Sequence, residues 1–247
     1  MILPVILWSD VLIFLLIASL SLFLIQMRKN EQARKRWASV FESKVGMASF
    51  IIILFYVLVA LLDSLHYREP LPLIDNGNSE QKIAYSSDVH SVLDLALTTL
   101  RSGNEETYSA PFALYAFTKE NITDENGGIY RDYARLKNGG SHLTSVDERS
   151  WDVTWRSVLA IILGLIVISI TVALHVWWRK NKETGKQNTA LPWNVAYITL
   201  GVITVLACWI LSLSEYYHIF GTDKVGDDVL YQSFKSIRTG VLIGTIA

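Results

Sequence analysis

The sequence predicts an all-α polytopic membrane protein with four transmembrane helices and the start of a fifth. Hydrophobic residues make up 51% of its 247 residues and charged residues only 18%, whereas about a quarter of the residues in a soluble domain are charged. The charges are excluded from four apolar segments, each of which reaches the ~20 residues needed to cross the hydrocarbon core. Because unpaired backbone amides are very costly in lipid, we expect these segments to be α-helices.

The four predicted spans run from about Ile2 to Met27, Val45 to Leu65, Val158 to Trp178 and Trp193 to Leu213. A further apolar stretch begins at Gly240 and reaches the last residue, Ala247. The first segment has no positive charge before Arg28 and is longer than the ~7–15 apolar residues of a signal peptide. It is therefore predicted to be a retained helix.

Basic residues in the two short connections predict the orientation. The connection between the first two spans contains six Lys and Arg against two Glu, and the connection between the third and fourth contains four against one. Cytoplasmic loops carry such an excess, so the N-terminus is predicted outside. The predicted parts are two helices with their basic loop (1–65), an extracytoplasmic segment (66–157), a third helix with its loop (158–192) and a C-terminal part (193–247). The basic stretch from Arg28 to Lys44 has ordinary topogenic charge or binds anionic membrane lipids.

The extracytoplasmic segment is predicted to mix helix and loop. Apolar residues recur at helical spacing from about Ser87 to Leu100. Ser87 or Asp88 is the predicted cap of this helix, and Gly103 is predicted to end it. The stretch 119–150 is rich in Asn, Gly and Asp and is predicted to be loop.

Several classes of chemistry find no support in the sequence. The single cysteine, Cys208, allows no disulfide within the chain, and the five histidines show no metal-site spacing. No phosphate-binding G-x-x-x-x-G-K-[ST] loop or nucleophile elbow is present. The net charge of −1 gives no basic excess for nucleic acid. The sequence therefore predicts no enzyme activity, cofactor, metal or nucleic-acid partner.

Two ionisable residues lie near membrane depth in the predicted spans. Asp10, in the first half of the first span, is interpreted as a polar contact between helices or as a shallow snorkelling side chain, with a place in a proton or substrate path as the alternative. His175 lies beside Trp177 and Trp178, a position typical of the membrane interface.

The segment 220–244 has the pattern of a short amphipathic helix followed by a return to the membrane. Thr222 or Asp223 is predicted to cap the helix. An apolar stripe follows at positions Val225, Val229, Leu230, Phe234 and Ile237. Re-entry is predicted near Gly240, and the spacing Gly240-x-x-x-Gly244 is compatible with close helix packing.

The same segment contains F-G-T-D-x-x-G-x-D-V, followed by a basic residue and a glycine. This pattern resembles the motif of peptide-type ABC importer permeases, the oligopeptide and dipeptide systems. The matching positions are Phe220, Gly221, Thr222, Asp223, Gly226, Asp228, Val229, Leu230, Arg238 and Gly244. Asp227 departs from the pattern, because the family usually has arginine there. The resemblance covers residues 193–247.

The resemblance implies a permease subunit of a binding-protein-dependent importer for peptides or related solutes in a bacterial inner membrane. Its partners would be a second permease subunit, ATP-binding cassette ATPase subunits and an extracytoplasmic solute-binding protein. The motif residues would shape the outer gate without catalysing a reaction. Residues 1–192 would be an N-terminal extension. The family's ATPase-docking loop lies beyond the motif, so the chain is expected to be the front part of a longer permease or a truncated product.

A second interpretation places the working part in residues 66–154. The chain would then be a membrane-anchored sensor or interaction protein. This interpretation predicts an outer segment that binds a ligand or partner independently of any permease helices.

Overall fold

The computed structural model describes residues 3–71, 85–123, 127–182 and 191–246. The helices are α1 (Trp8–Lys29), α2 (Glu31–Glu42), α3 (Lys44–Ser64), α4 (Val92–Ala96), α5 (Thr98–Ser102), α6 (Glu148–Lys182), α7 (Trp193–Ser214) and α8 (Val229–Ile246). The strands are β1 (Leu3–Val5), β2 (His66–Arg68), β3 (His90–Ser91), β4 (Tyr115–Thr123) and β5 (Ile129–Arg135).

Four of the described helices, α1, α3, α6 and α7, are long and apolar enough to cross a membrane. The mean hydropathy of their most apolar windows lies between 2.2 and 2.8, and only 6% to 17% of each window is buried inside the chain. Apolar helices with such exposed surfaces would be insoluble as parts of a water-soluble domain. The four spans predicted from the sequence are confirmed as helices, and they indicate a membrane protein.

Two of these helices begin at positions other than those predicted. The first starts at Trp8 rather than near Ile2, because the residues around Pro4 are extended and form β1. Asp10 consequently lies in the first turn of α1, where its Oδ2 accepts the backbone N–H of Leu7 at 2.8 Å. The helix of the third span starts at Glu148 rather than Val158, because the mostly polar residues 148–157 form roughly three helical turns before the apolar run.

The chain divides into two compact units, each of which is described separately. Unit 1 comprises Met1–Ala38, Ile53–Thr98 and Phe234–Ala247. In this unit β1, β2 and β3 form an antiparallel sheet, with Leu3 opposite Arg68 and His66 opposite Ser91. Because β1 precedes α1 and β2 follows α3, the start of α1 and the end of α3 lie together.

Unit 2 comprises Ser39–Ile52 and Thr99–Ser233, and its central feature is the packing of α6 against α7. Gly164 allows a close approach of the two helices, since a Cβ at this position would lie 2.8 Å from the Cα of Val205. At Gly240 and Gly244, by contrast, an added Cβ would meet no described atom within 4 Å. The described residues therefore show no close packing at the Gly240-x-x-x-Gly244 spacing.

A β-hairpin occupies part of the stretch predicted as loop. β4 pairs with β5, with Tyr115 opposite Arg135 and Thr123 opposite Ile129, so the loop prediction for 119–150 is wrong over these strands. The strands are rich in Tyr, Phe, Ile and Thr, which favour extended structure. Both faces are largely exposed, and the alternation of apolar and polar residues that identifies a half-buried strand is consequently weak.

The helix predicted from Ser87 to Leu100 is also corrected. Residues 90–91 pair with β2 as a strand, so the backbone stays extended up to Ser91, which is the actual cap of α4. Ser91 Oγ accepts the Asp94 N–H, and Asp94 Oδ2 accepts the Ser91 N–H. A second short helix, α5, then ends at Ser102, so the predicted stop at Gly103 is confirmed.

The last helix differs from the predicted short interfacial helix. α8 begins at Val229 and continues without a break through Gly240 to Ile246. The predicted cap at Thr222 or Asp223 is wrong, because residues 222–228 form turns and Asp228 caps the helix instead. Its Oδ1 accepts the N–H groups of Leu230 at 2.8 Å and Tyr231 at 3.2 Å.

Candidate functional site

The motif residues form a tightly bonded loop between α7 and α8 in unit 2. Thr222, which is completely buried, lies at its centre. Its Oγ1 accepts the backbone N–H of Ser109 at 2.8 Å and donates to the carbonyl of Thr107 at 2.9 Å. A backbone bond from Thr222 N to Ser109 O adds to these contacts. The threonine of the motif therefore joins the loop to the segment 107–109.

Two motif glycines are required by backbone conformation and by close approach. Gly221 and Gly226 have φ angles of +75° and +92°. Residues that carry a Cβ adopt such angles only with strain. A Cβ at Gly221 would lie 2.2 Å from the carbonyl oxygen of Ser109, and one at Gly226 would lie 1.9 Å from that of Glu105. The backbone N–H of Glu105 also donates a hydrogen bond to the carbonyl oxygen of Gly226 at 2.9 Å.

Two motif aspartates organise the turn and the helix start. Asp223 Oδ2 accepts the side-chain N–H of Gln232 at 2.7 Å, and its Oδ1 accepts the backbone N–H groups of Val225 and Asp227. These hydrogen bonds, led by the one from Gln232, hold the pKa of Asp223 below its usual value. Asp223 thus closes the turn, and Asp228 caps α8.

His218, just before the motif, binds two buried carboxylates. Its Nδ1 lies 2.7 Å from Asp228 Oδ2 and its Nε2 lies 3.3 Å from Glu105 Oε1. Burial lowers the pKa of His218, but the hydrogen bonds to these two carboxylates outweigh that effect and raise it to about 9. Because both ring nitrogens face acceptors, the imidazole is a cation that donates on both sides.

Glu105 receives further donors from the β-hairpin side of the unit. The backbone N–H groups of Lys137 and Asn138 donate to its two carboxylate oxygens at 2.9 and 2.6 Å. Burial raises the pKa of Glu105, whereas His218 and these two N–H groups lower it to below its usual value. Sequence reasoning singled out neither His218 nor Glu105, because only the fold brings residue 105 to residue 218.

The remaining motif positions differ in their surroundings. Leu230 is buried, whereas Phe220 is 52% exposed at the start of the loop. Asp227 donates its backbone N–H to Asp223, and within the described residues its side chain forms no ion pair. Asp227, the position that departs from the motif pattern, thus takes part in the loop through its backbone.

The motif's basic residue, Arg238, belongs to a separate cluster in unit 1. It lies on α8 with Lys235, and both contact buried carboxylates from three other elements. Asp10, Asp63 and Asp94 are 0%, 2% and 3% exposed. They come from the first turn of α1, the last turn of α3 and the first turn of α4.

Arg238 connects the ends of two candidate spans. Its Nη1 lies 3.1 Å from Asp10 Oδ1, and its Nε lies 3.4 Å from Asp63 Oδ2. Nη1 also reaches the backbone carbonyl of Asp63 at 3.4 Å. The planar guanidinium presents several donors in a fixed geometry, which suits it to bind two carboxylates at once.

Lys235 holds the other side of the cluster. Its Nζ lies 2.7 Å from Asp63 Oδ1 and 2.9 Å from Asp94 Oδ1. Ser91 Oγ lies 3.0 Å from Asp63 Oδ1 and 3.1 Å from the same Nζ. Asp63 is therefore shared between both cations of α8.

His66 completes the cluster between Asp10 and Arg238. Its Nδ1 lies 3.0 Å from Asp10 Oδ2, and its Nε2 lies 3.4 Å from Arg238 Nη1. His66 therefore lies between Asp10 and Arg238 in a cluster where three carboxylates meet the two cations of α8.

The structure therefore brings together Asp10 and Arg238, which the sequence analysis had considered separately. It adds Asp63, Asp94, His66 and Lys235 as partners. Gly244 lies on α8 with no described contact at its Cβ position. Among the described residues, no group of three or more His, Cys, Asp and Glu is arranged to hold a metal ion.

Comparison with known proteins identifies no relative: no family model, curated protein or solved structure matches the chain. The motif loop in unit 2 and the charge cluster in unit 1 are two separate candidate sites.

Replacing Gly226 with alanine is expected to destabilise the motif loop by about 3 kcal/mol, because the new Cβ meets the Glu105 carbonyl. The matched control is Gly127→Ala. Gly127 also has a positive φ, of +78°, but an added Cβ there would meet no described atom within 4 Å. The control should lose only ~1 kcal/mol from backbone strain. Thermal unfolding in detergent measures both, and equal losses would contradict the role assigned to the close approach.

The His218 interaction predicts a pH dependence of stability. The folded-state pKa of about 9 exceeds the ordinary 6.5, so the stabilisation is complete below pH 6.5 and is lost as the pH rises through 9. The lowered pKa of Glu105 has the opposite sign, and its contribution is lost as the pH falls below 4.5. We expect the unfolding midpoint to fall between pH 6.5 and 9 in the wild type and to fall less in His218→Gln. Equal slopes in the two proteins would refute the assignment.

Proposed function

We propose that this chain belongs to the permease subunit of a binding-protein-dependent ABC importer for peptides or related solutes. In this proposal it lies in a bacterial inner membrane with its N-terminus outside. The observation that carries the proposal is the placement of Arg238. The basic residue of the motif extends from α8 to carboxylates at the ends of α1 and α3, two candidate spans. Buried charged groups at such positions are typical of solute or ion pathways.

The motif loop supports the same proposal through its rigidity. The backbone from 221 to 230 is fixed by buried hydrogen bonds of Thr222 and Asp228, and both motif glycines touch neighbouring backbone. Such a loop holds the start of α8 in one position. In a permease, a fixed outer connection of this kind would define the mouth through which the solute enters the helix bundle.

The loop also exposes two apolar side chains, one at its start and one within its turn. Phe220 is 52% exposed and Val225 is 75% exposed, whereas Gly221, Thr222, Gly226 and Asp228 are buried. Exposed apolar groups on a rigid loop suit contact with another protein. In our proposal they face the solute-binding protein, while ATP hydrolysis takes place in separate ATPase subunits and a second permease subunit completes the pathway.

The β-hairpin favours a second candidate function, a membrane-anchored interaction protein that acts through residues 66–154. Phe117 and Ile129 are 66% and 74% exposed on β4 and β5. Both strands present these side chains on an open surface, which could contact a ligand or partner without any role for α8.

The deciding experiment tags the protein at its native gene and purifies it from membranes in mild detergent. The permease proposal predicts that ATPase subunits, a second permease subunit and a solute-binding protein co-purify. Recovery of the protein without any of them, from cells grown on peptides, would contradict the proposal.

Two surface variants separate the candidate functions. Phe220→Ser is expected to release the solute-binding protein while the ATPase subunits remain bound. The matched control Phe117→Ser removes another exposed phenylalanine, from the hairpin, and should change the binding of neither partner. If Phe117→Ser instead releases the bound partner and Phe220→Ser does not, the interaction-protein candidate is favoured.

A further inference from the structure

The beginning of α2 follows directly on the end of a candidate span in unit 1. The helix α1 ends at Lys29, and α2 begins two residues later, at Glu31. We propose that the segment 28–38 lies in the membrane interface and binds the headgroups of anionic phospholipids. This inference is independent of the transport function.

The segment 28–38 has the charge that attracts anionic headgroups. It contains five Lys and Arg and only one acidic residue, Glu31. Arg36 has a further interaction within the chain, so we assign the lipid contact to the other four cations. These four are all exposed: Arg28, Lys29, Arg34 and Lys35. A cluster of four or more basic residues beside a span is typical of binding to anionic lipid.

One of the four cations has an acidic partner on the same helix. Lys35 Nζ lies 3.2 Å from Glu31 Oε1, and the two side chains are 75% and 70% exposed. An ion pair this exposed contributes little, because water and salt screen it. Lys35 can therefore exchange this contact for one with a lipid phosphate at small cost.

Trp37 provides an observation that is independent of the charges. Its ring contacts the ring of Phe23 edge to face, with the centroids 5.7 Å apart. Phe23 lies six residues before the end of α1, which is ~9 Å along the helix axis. The beginning of α2 therefore turns back towards α1, so that Trp37 reaches a residue well inside the apolar span.

This placement matches that of a helix in the membrane interface. Ala33 and Trp37 lie one turn apart on one face of α2, and Glu31 and Lys35 lie on the opposite face. Interfacial helices bury their apolar face ~5–10 Å into the boundary between headgroups and acyl chains. Tryptophan is enriched at this depth, and Trp37 is still 43% exposed. Trp37 thus contacts the acyl boundary while the cations contact phosphate.

The test compares two lipids in phosphatidylcholine bilayers that contain the full chain. Spin-labelled phosphatidylglycerol or spin-labelled phosphatidylcholine is added in trace amounts, and electron paramagnetic resonance measures the fraction immobilised by the protein. We expect a larger immobilised fraction for phosphatidylglycerol, and this preference should fall as salt is added. Equal fractions for the two lipids would overturn the proposal and would indicate a partner protein as the occupant of this surface.

Variants locate the binding to the segment 28–38. Arg34→Gln and Lys35→Gln should each lower the preference by up to about fivefold, the factor expected for one cation near an anionic surface. Each variant keeps four of the five cations, so the orienting effect of the basic connection is retained. Arg34→Lys preserves the charge and should keep most of the preference, which separates lost binding from lost folding. An unchanged preference in both Gln variants would contradict the proposal.

Lys180→Gln is the matched control. Lys180 is also exposed, and it lies near the end of another candidate span, α6. This variant removes the same charge from a comparable position and should keep the preference for phosphatidylglycerol. A loss equal to that of Arg34→Gln would show that the lipid responds to general surface charge, and α2 would then have no specific role.

Discussion

The arrangement of unit 1 depends on the insertion of two cations among three buried carboxylates. Moving an ionised group out of water costs several kcal/mol unless an opposite charge and hydrogen bonds replace the lost hydration. Asp10, Asp63 and Asp94 are almost completely buried, so each needs Arg238 or Lys235 within reach. These contacts fix the first turn of α1, the last turn of α3 and the start of α4 around a single face of α8.

Unit 2 uses the same principle on a smaller scale. His218 forms one hydrogen bond to Asp228, which caps α8, and a second to Glu105. Glu105 in turn accepts hydrogen bonds from two backbone N–H groups. One charged imidazole therefore links the helix start to the segment before the β-hairpin. In both units, α8 or the loop that leads into it is positioned by charge, whereas α6 and α7 pack through apolar contacts such as Gly164 against Val205.

The sequence was informative where a property is local. The four spans can be predicted from hydropathy, and the end of α5 at Ser102 can be predicted from the tendency of glycine to terminate helices. The start of α8 was placed wrongly because Thr222, Asp223 and Asp228 are all acceptable caps, and the choice depends on contacts with Ser109 and Glu105. The hairpin was missed because strands exposed on both faces lack a clear alternation.

The candidate site was predicted only in part for a related reason. The motif named one member of each cluster, Asp228 in unit 2 and Arg238 in unit 1, because those residues stand in a recognisable spacing. Their partners are far away in the chain: 228 residues separate Asp10 from Arg238, and 113 separate Glu105 from His218. No local sequence pattern predicts a contact between residues so far apart in the chain. His66 could be found only once β2 placed it beside Asp10.

A double-mutant cycle between Asp10 and Arg238 tests this account most directly. The free energy of unfolding would be measured in mixed micelles for the wild type, Asp10→Asn, Arg238→Gln and the double variant. Removing one partner of a buried pair leaves the other charge uncompensated, so each single change should cost roughly 3–5 kcal/mol. The double variant should lose less than the sum by about 0.5–3 kcal/mol. Strictly additive losses would show that the two side chains are not coupled and would contradict the central role of the cluster.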